Sequence, residues 1–168
     1  KRGILESYEK EVGRLQVSVC RLQEPNPLSP AQEKAYGEIH EAFKTKEVCL
    51  LHGVTSSGKT EIYVRLIHEV LRLGRQVLYM LPEIAITTQI TERLAKLFGD
   101  KLLVYHSKFS DNERVEVWNK LLHNDEPMLV LGVRSSLFLP FKDLGLIIVD
   151  EEHENTYKQQ DPAPRYHA

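Results

Sequence analysis

Four apolar runs, residues 77–81, 102–105, 128–131 and 146–149, are hydrophobic throughout instead of alternating with polar residues. Between them lie stretches whose apolar residues recur at helical spacing. A strand that is apolar on both faces needs cover on both, and helices between strands return the chain so that the strands run parallel. The pattern predicts an α/β fold with a mostly parallel sheet covered by helices on both faces. In such sheets ligands sit where the carboxyl ends of strands run into loops. Chemistry-bearing residues are therefore sought at those ends.

The helices have legible starts and stops. Ser29-Pro30-Ala31-Gln32 supplies an N-cap, a first-position proline and a Gln three residues beyond the cap. Ala31, Ala35, Ile39 and Ala42 then carry a stripe to about Phe43. Residues 58–73 read as helix up to Gly74, a C-terminal stop. Ile90, Leu94, Leu97 and Phe98 mark a third helix that ends at Gly99. Ser110-Asp111-Asn112-Glu113 is a capping box that opens a fourth through Val115, Trp118 and Leu122.

The turn-forming cluster Glu24-Pro25-Asn26-Pro27 is the one clear composition break. Before it the chain reads as short strands, and a lone hairpin of that length is not stable by itself. The expected organisation is the end of a preceding region and a linker over residues 1–25, then one compact domain over 26–168. The chain's 168 residues suffice for such a domain without staples. A net charge of −2 excludes a uniformly basic coat protein for nucleic acid, though not a local basic patch. Cys20 and Cys49 form no CxxC pair, which argues against a disulfide framework or a zinc site and for a reducing compartment. No apolar run approaches the roughly 18 residues of a membrane span. The expectation is a cytoplasmic domain with no membrane partner.

Gly53-Val54-Thr55-Ser56-Ser57-Gly58-Lys59-Thr60 fits G-x-x-x-x-G-K-S/T, with the apolar run 48–52 before it as a strand and a helix directly after it. Glycines let the backbone wrap phosphates with its N–H groups turned inward, and the helix N-terminus adds positive potential. Lys59 is expected to reach the β and γ phosphates, and the Thr60 hydroxyl to ligate Mg²⁺. The apolar strand 146–149 then ends in Asp150-Glu151-Glu152-His153. An aspartate there stands beside the Mg²⁺, and Glu151 is placed to orient and deprotonate an attacking water. Glu152 and Glu154 read as a solvated acidic turn. Gln32 either caps its own helix or reads adenine in front of the phosphate loop.

Other strand ends are polar. Thr87, Thr88 and Gln89 follow the strand closed by Pro82, and Arg134, Ser135 and Ser136 follow the run 128–131. Such groups suit a phosphate backbone, although Thr87 and Thr88 fit helix caps better. The tail from Tyr157 to His167 mixes aromatics, cations and amides with two prolines and reads as a loop. There, aromatic faces stack bases while Lys158 and Arg165 neutralise phosphates; the alternative is that the tyrosines pack on the domain. His40, His68 and His123 read as surface residues of helices.

The stretches LLHGVTSSGKTEIY, LPEIAITTQI, HSKFSDNERVEVW, LGVRSSLFLPF, LGLIIVDEEH and YKQQDPAPRYHA, in that order, cover most of the chain from Leu28 to Ala168. With them the chain resembles the first motor lobe of a superfamily 2 helicase of the DExH (DEAH box) type, and more narrowly the bacterial replication-restart helicase family PriA. The last stretch is the most diagnostic. The resemblance implies a RecA-like ATP-binding lobe of a 3′ to 5′ DNA helicase that reloads the replication machinery at stalled forks. It implies ATP and Mg²⁺ as cofactors, with adenine at Gln32 and coupling of nucleotide state to motor closure at His153. It also implies DNA contacts at Thr87, Gln89, Arg134, Tyr157, Lys158, Arg165 and Tyr166. Single-stranded and forked DNA, primosome proteins and single-strand-binding proteins are the implied partners. Zinc is implied only for a cysteine-rich module whose ligands lie outside this chain. The segment before Pro25 resembles the end of the family's winged-helix region. Ser56 stands where the family has Gly, implying a stiffer loop, and Val133 stands where Thr is usual, implying one phosphate contact fewer.

Other classes fit less well. Asn119-Lys120-Leu121-Leu122 lacks the aspartate that an NKxD guanine reader needs. A kinase that must avoid hydrolysis has no use for Glu151 beside its Mg²⁺ aspartate. A third class is a binding module in which the nucleotide is only structural. Without a second lobe and its arginines, the chain alone is expected to bind nucleotide but not to unwind DNA.

Overall fold

The computed structural model describes residues 22–54, 57–106, 109–159 and 165–166. The short strands expected before residue 22 lie outside that set. Strands β1 (Gln76–Met80), β2 (Leu102–Tyr105), β3 (Leu129–Gly132) and β4 (Leu144–Val149) form one sheet in the order β2-β3-β1-β4. Every pairing in it is parallel. Helices α1 (Pro30–Phe43), α2 (Lys59–Arg72), α3 (Thr88–Phe98) and α4 (Asp111–His123) connect and cover the strands.

Every residue of β1 is buried, because the strand is covered from both sides. Val77 and Tyr79 face Val64, Ile67 and Leu71 of α2 and Leu94 and Phe98 of α3. Leu78 and Met80 face the opposite cluster, with Val117 and Leu121 of α4. That two-sided cover is the physical origin of the unbroken apolar runs at β1 and β3. The expectation fails at β4, where Ile148 is buried but Ile147 is exposed because that strand lies at the edge of the sheet. Both expected capping boxes form, with Ser29 and Gln32 bonded reciprocally at α1 and Ser110 and Glu113 at α4.

Four local expectations are corrected. Residues 48–52 join no ladder, so the phosphate loop follows an extended segment and not a strand. Its Val48 and Leu50 are exposed, while Cys49 and Leu51 pack on Ile39, Ile62 and Leu66. One face of the run thus finds apolar cover without pairing, and a cavity of about 1160 Å³ lies between residues 46–54 and residues 145–153 of the β4 region. On α4 the core face is Val117 and Leu121; Val115, Trp118 and Leu122 point outward. His68 is buried on α2, not at the surface. In the tail, β5 (Lys158–Gln159) and β6 (Arg165–Tyr166) pair antiparallel, where a loop was expected. A ribbon that short is held by its ladder and leaves no periodicity to read.

Candidate nucleotide site

The sheet order sets β4 and β3 on either side of β1. Their carboxyl ends therefore deliver Asp150, Pro82 and Arg134 to one edge. The Asp150 N–H donates to the Met80 carbonyl at 3.0 Å, which continues the ladder one residue past the strand and fixes the carboxylate at the sheet's edge.

The phosphate loop leads into α2 through Gly58, whose φ of 82° lies in the left-handed region. A Cβ there would also stand 2.4 Å from Gln32 Nε2. Glycine is required at this position for both backbone freedom and space. No side chain among the described residues caps α2. Its first N–H groups and the positive end of its dipole thus face the cavity, an arrangement suited to an anion. Lys59 Nζ donates to the carbonyls of Gly53, at 2.5 Å, and Val54, at 3.4 Å. Those bonds hold the ammonium against the loop, where it would neutralise bound phosphates. Thr55 and Ser56 lie outside the described residues; Ser57 is exposed, with its N–H bonded to the Val54 carbonyl.

Residues 57–61 with Arg93, Asp150 and Glu151 line a cavity of about 390 Å³. Lys59, Thr60, Asp150 and Glu151, widely separated in sequence, therefore share one wall. Tyr79 donates its hydroxyl hydrogen to Asp150 Oδ2 at 3.0 Å, and the Glu151 N–H donates to Oδ1 at 3.1 Å. Burial, then the charge of Asp150, pushes the Tyr79 phenol far above its ordinary value, so it remains a donor. Burial and the same carboxylate raise Tyr63 as well. Glu151 has φ 52° and is the only non-glycine residue with positive φ among the described residues. Strain of that kind costs on the order of 1–3 kcal/mol and clusters at functional sites. His153 Nε2 lies 3.5 Å from Glu151 Oε2. Glu152 is exposed, as expected of a solvated turn.

Gln32 caps its own helix and also reaches the backbone of the phosphate loop. Its Oε1 accepts from the Ser29 N–H at 2.8 Å, completing the cap, while its Nε2 donates to the Gly58 carbonyl at 3.1 Å. Thr87 is the N-cap of α3, accepting from the Ile90 N–H, and Gln89 is exposed. Arg134 Nη1 donates to the Thr156 carbonyl at 3.1 Å, joining the β3 end to the tail. Lys158 is exposed and pairs in register with Tyr166, and Gln159 with Arg165. Tyr157 takes the second of its two expected places, packed on the domain. It is buried, and its hydroxyl lies 2.8 Å from the Asp150 carbonyl and 3.1 Å from that of Met80. Its ring packs in the core behind the Asp150 motif and presents no face to a base. Val133 is likewise buried, and its N–H donates to the Tyr105 carbonyl.

Sequence reasoning missed Tyr79 and Arg93. Nothing local marks Tyr79 as more than a core aromatic, and Arg93 lies mid-helix, outside every motif.

The donor set is chemically coherent. Hydroxyl and carboxylate oxygens from Thr60 and Asp150 are hard ligands of the kind Mg²⁺ takes alongside substrate phosphates. The uncapped helix start and Lys59 suit the phosphates themselves. The chain matches the DEAD/DEAH box helicase family over residues 29–166. It is 44% identical over 172 residues to the replication restart protein PriA of Bacillus subtilis (strain 168), with 100% of this chain and 21% of that protein covered. It is 42% identical over 170 residues to the protein of that name from Synechocystis sp. (strain ATCC 27184 / PCC 6803 / Kazusa), covering 100% of this chain and 20% of that protein. To the one from Helicobacter pylori (strain J99 / ATCC 700824) it is 46% identical over 143 residues, 85% of this chain and 22% of that protein. The chain spans about a fifth of the length of these curated relatives. A parallel sheet with this cavity at its carboxyl edge, and a family match over nearly the whole described chain, lead to one conclusion: the chain belongs to the DEAD/DEAH box helicase family, and its cavity fits the ATP and Mg²⁺ that this family implies.

Proposed function

We propose that this chain is the ATP-binding lobe of a 3′ to 5′ DNA helicase that reloads the replication machinery at stalled forks, working in the bacterial cytoplasm on the nucleoid. The observation that carries the reading is the single cavity shared by Lys59, Thr60, Asp150 and Glu151. The names of its relatives, replication restart proteins, supply the biological context. The motor lobe runs over residues 26–168, and residues 1–25 are the end of a preceding winged-helix region. Forked and single-stranded DNA, primosome proteins and single-strand-binding proteins are partners of the longer protein, as is zinc in a module outside this chain.

Lys59 and the first N–H groups of α2 bind and orient the phosphates. Thr60 and Asp150 hold the divalent cation, which when bound neutralises phosphate charge. Tyr79 keeps the Asp150 carboxylate in one orientation. Glu151, beside them, orients the water and accepts its proton, and His153 couples the site to closure of the motor. Gln32 contacts adenine by exchanging one of its two present bonds. Thr87, Gln89, Arg134, Lys158, Arg165 and Tyr166 track the DNA strand; Tyr157 is assigned to the core.

Calorimetric titration of the chain with ATP and GTP in Mg²⁺, with and without single-stranded DNA, tests the reading. ATP should bind more tightly than GTP, and Lys59→Ala should weaken it with the fold intact. Equal affinity for the two nucleotides, or an unchanged affinity in Lys59→Ala, removes the assignment. The chain alone is expected to show no DNA-stimulated turnover, because the arginines of a second lobe are worth about 10³–10⁵ in rate where such groups have been measured.

A further inference from the structure

The phosphate cavity has a second cation. Besides Lys59, its wall includes Arg93 from the middle of α3, whose Nη2 bonds to Oε1 of Glu61 in the first turn of α2. The pair is at the rim, with the Glu61 side chain 28% and the Arg93 side chain 41% exposed. Helix α3 does not need an arginine there for its own sake, since it is capped by Thr87 and anchored by Leu94 and Phe98.

The charges around the cavity show what the pair can do. Its lining carries two cations, Lys59 and Arg93, against three carboxylates, Glu61, Asp150 and Glu151. Asp150 and Glu151 are accounted for by the divalent cation and the water. Glu61 is not. It stands in the first turn of the helix whose N-terminus faces the phosphates, so it competes with an anionic ligand for the same positive end. A carboxylate so placed opposes a triphosphate unless a cation covers it, and Arg93 is that cation. A guanidinium offers five donors in a planar fork and binds carboxylate and phosphate oxygens with the same bidentate geometry. Exchange from one to the other therefore requires a change of partner and not of chemistry.

We propose that Arg93 is a phosphate-facing cation of this cavity, held at the rim by Glu61 and passed to the terminal phosphate of a bound nucleoside triphosphate. The inference rests on the reading of the cavity as a nucleotide site. It gives the lobe an arginine of its own for the triphosphate, before any second lobe closes on it.

The test is calorimetric titration with a slowly hydrolysed ATP analogue and with ADP, beside thermal unfolding, for the parent, Arg93→Ala, Arg93→Lys, Glu61→Gln and Lys59→Ala. Arg93→Ala should weaken the triphosphate by about tenfold, the loss of one charge-assisted hydrogen bond, and ADP far less. Arg93→Lys should recover part of that loss. Glu61→Gln should tighten triphosphate binding, because it removes a competing carboxylate and releases the guanidinium. A mere latch between α2 and α3 predicts the opposite sign for Glu61→Gln, with both nucleotides weaker and Tm lowered in step with Arg93→Ala. That pattern, or equal losses for the two nucleotides in Arg93→Ala, overturns the proposal. Lys59→Ala separates the two levels. If it too leaves both affinities unchanged, the nucleotide reading falls and this inference with it; if it weakens binding while the Arg93 and Glu61 variants match the parent, only the role of Arg93 falls.

Discussion

Tyr79, in an inner strand of the sheet, donates its hydroxyl hydrogen to Oδ2 of Asp150 at the end of the neighbouring strand, at 3.0 Å. The phenol is buried and held firmly protonated by that burial and by the carboxylate it serves. One oxygen of the proposed magnesium ligand is thus pinned from below, and the Glu151 N–H holds the other. Tyr79→Phe keeps the ring and removes only this donor. Stability should fall by about 1 kcal/mol, the net worth of such a bond. The Mg²⁺ concentration needed for half-maximal ATP binding should rise, because the carboxylate no longer has a fixed orientation. Titrating Mg²⁺ at constant ATP reads this directly, and an unchanged Mg²⁺ requirement would show that Tyr79 only fills space.

Tyr157 makes a related contribution from the opposite face. Its hydroxyl bridges the Met80 and Asp150 carbonyls, and its ring belongs to the cluster that includes Leu78 and Leu121. Tyr157→Ala removes a buried aromatic and should lower unfolding free energy by about 3–5 kcal/mol. Tyr157→Phe should lose only about 1 kcal/mol. Urea denaturation distinguishes these values. Any loss of single-stranded DNA binding in Tyr157→Ala should accompany that destabilisation and be absent in Tyr157→Phe. Loss of single-stranded DNA binding in Tyr157→Ala beyond that of an equally destabilised core variant such as Leu121→Ala would return the residue to the DNA path.

What the sequence made legible follows the range of the interactions. Capping boxes at Ser29 and Ser110 are closed by residues three apart, and both form as read. The run 102–105 is bounded by its own composition and matches β2 at both ends. Residues 48–52 read equally well as a strand, yet pairing depends on the distant edge of β4, and Cys49 and Leu51 satisfy their burial elsewhere. On α4 apolar residues occur on two adjacent faces, so spacing alone could not choose Val117 and Leu121 over Trp118 and Leu122. The same limit applies at the site. Lys59, Thr60 and Asp150 announce themselves by motif, whereas Tyr79 and Arg93 gain their roles only from neighbours 71 and 32 residues away.

Alkaline pH should loosen the contact between α1 and α2. The Tyr36 hydroxyl donates to Glu69 Oε2 at 2.7 Å. Burial first, then that bond and the carboxylate's charge, push its phenol from 10.0 up to about 12. The folded state then holds a proton that the unfolded state has released, so the stabilisation is complete below pH 10 and is lost as pH rises towards 12. Lysine deprotonation acts in the same range, so the informative quantity is the difference between parent and Tyr36→Phe. The parent should lose stability more steeply between pH 10 and 12 than the variant. Parallel curves in denaturant melts across that range would exclude the linkage.

Glu151 carries the sharpest conflict between backbone and chemistry. Its φ of 52° suits glycine, and its neighbours hold it there: its N–H donates to Asp150 Oδ1 and its carbonyl accepts from the Glu154 N–H. Those bonds use only backbone atoms of Glu151, so they survive replacement of its side chain by glycine or alanine. The side chain's own contact, with His153, joins two partly exposed groups and contributes little. Glu151→Gly should therefore stabilise the chain by about 1 kcal/mol, the left-handed penalty of a residue with a Cβ. Glu151→Ala loses the same carboxylate but keeps the Cβ, and should gain nothing. Thermal unfolding of the two variants beside the parent isolates the backbone term. If glycine and alanine give the same Tm, the conformation is unstrained. If only glycine raises it, the chain tolerates strain at this position, as a carboxylate needed at the cavity wall would require.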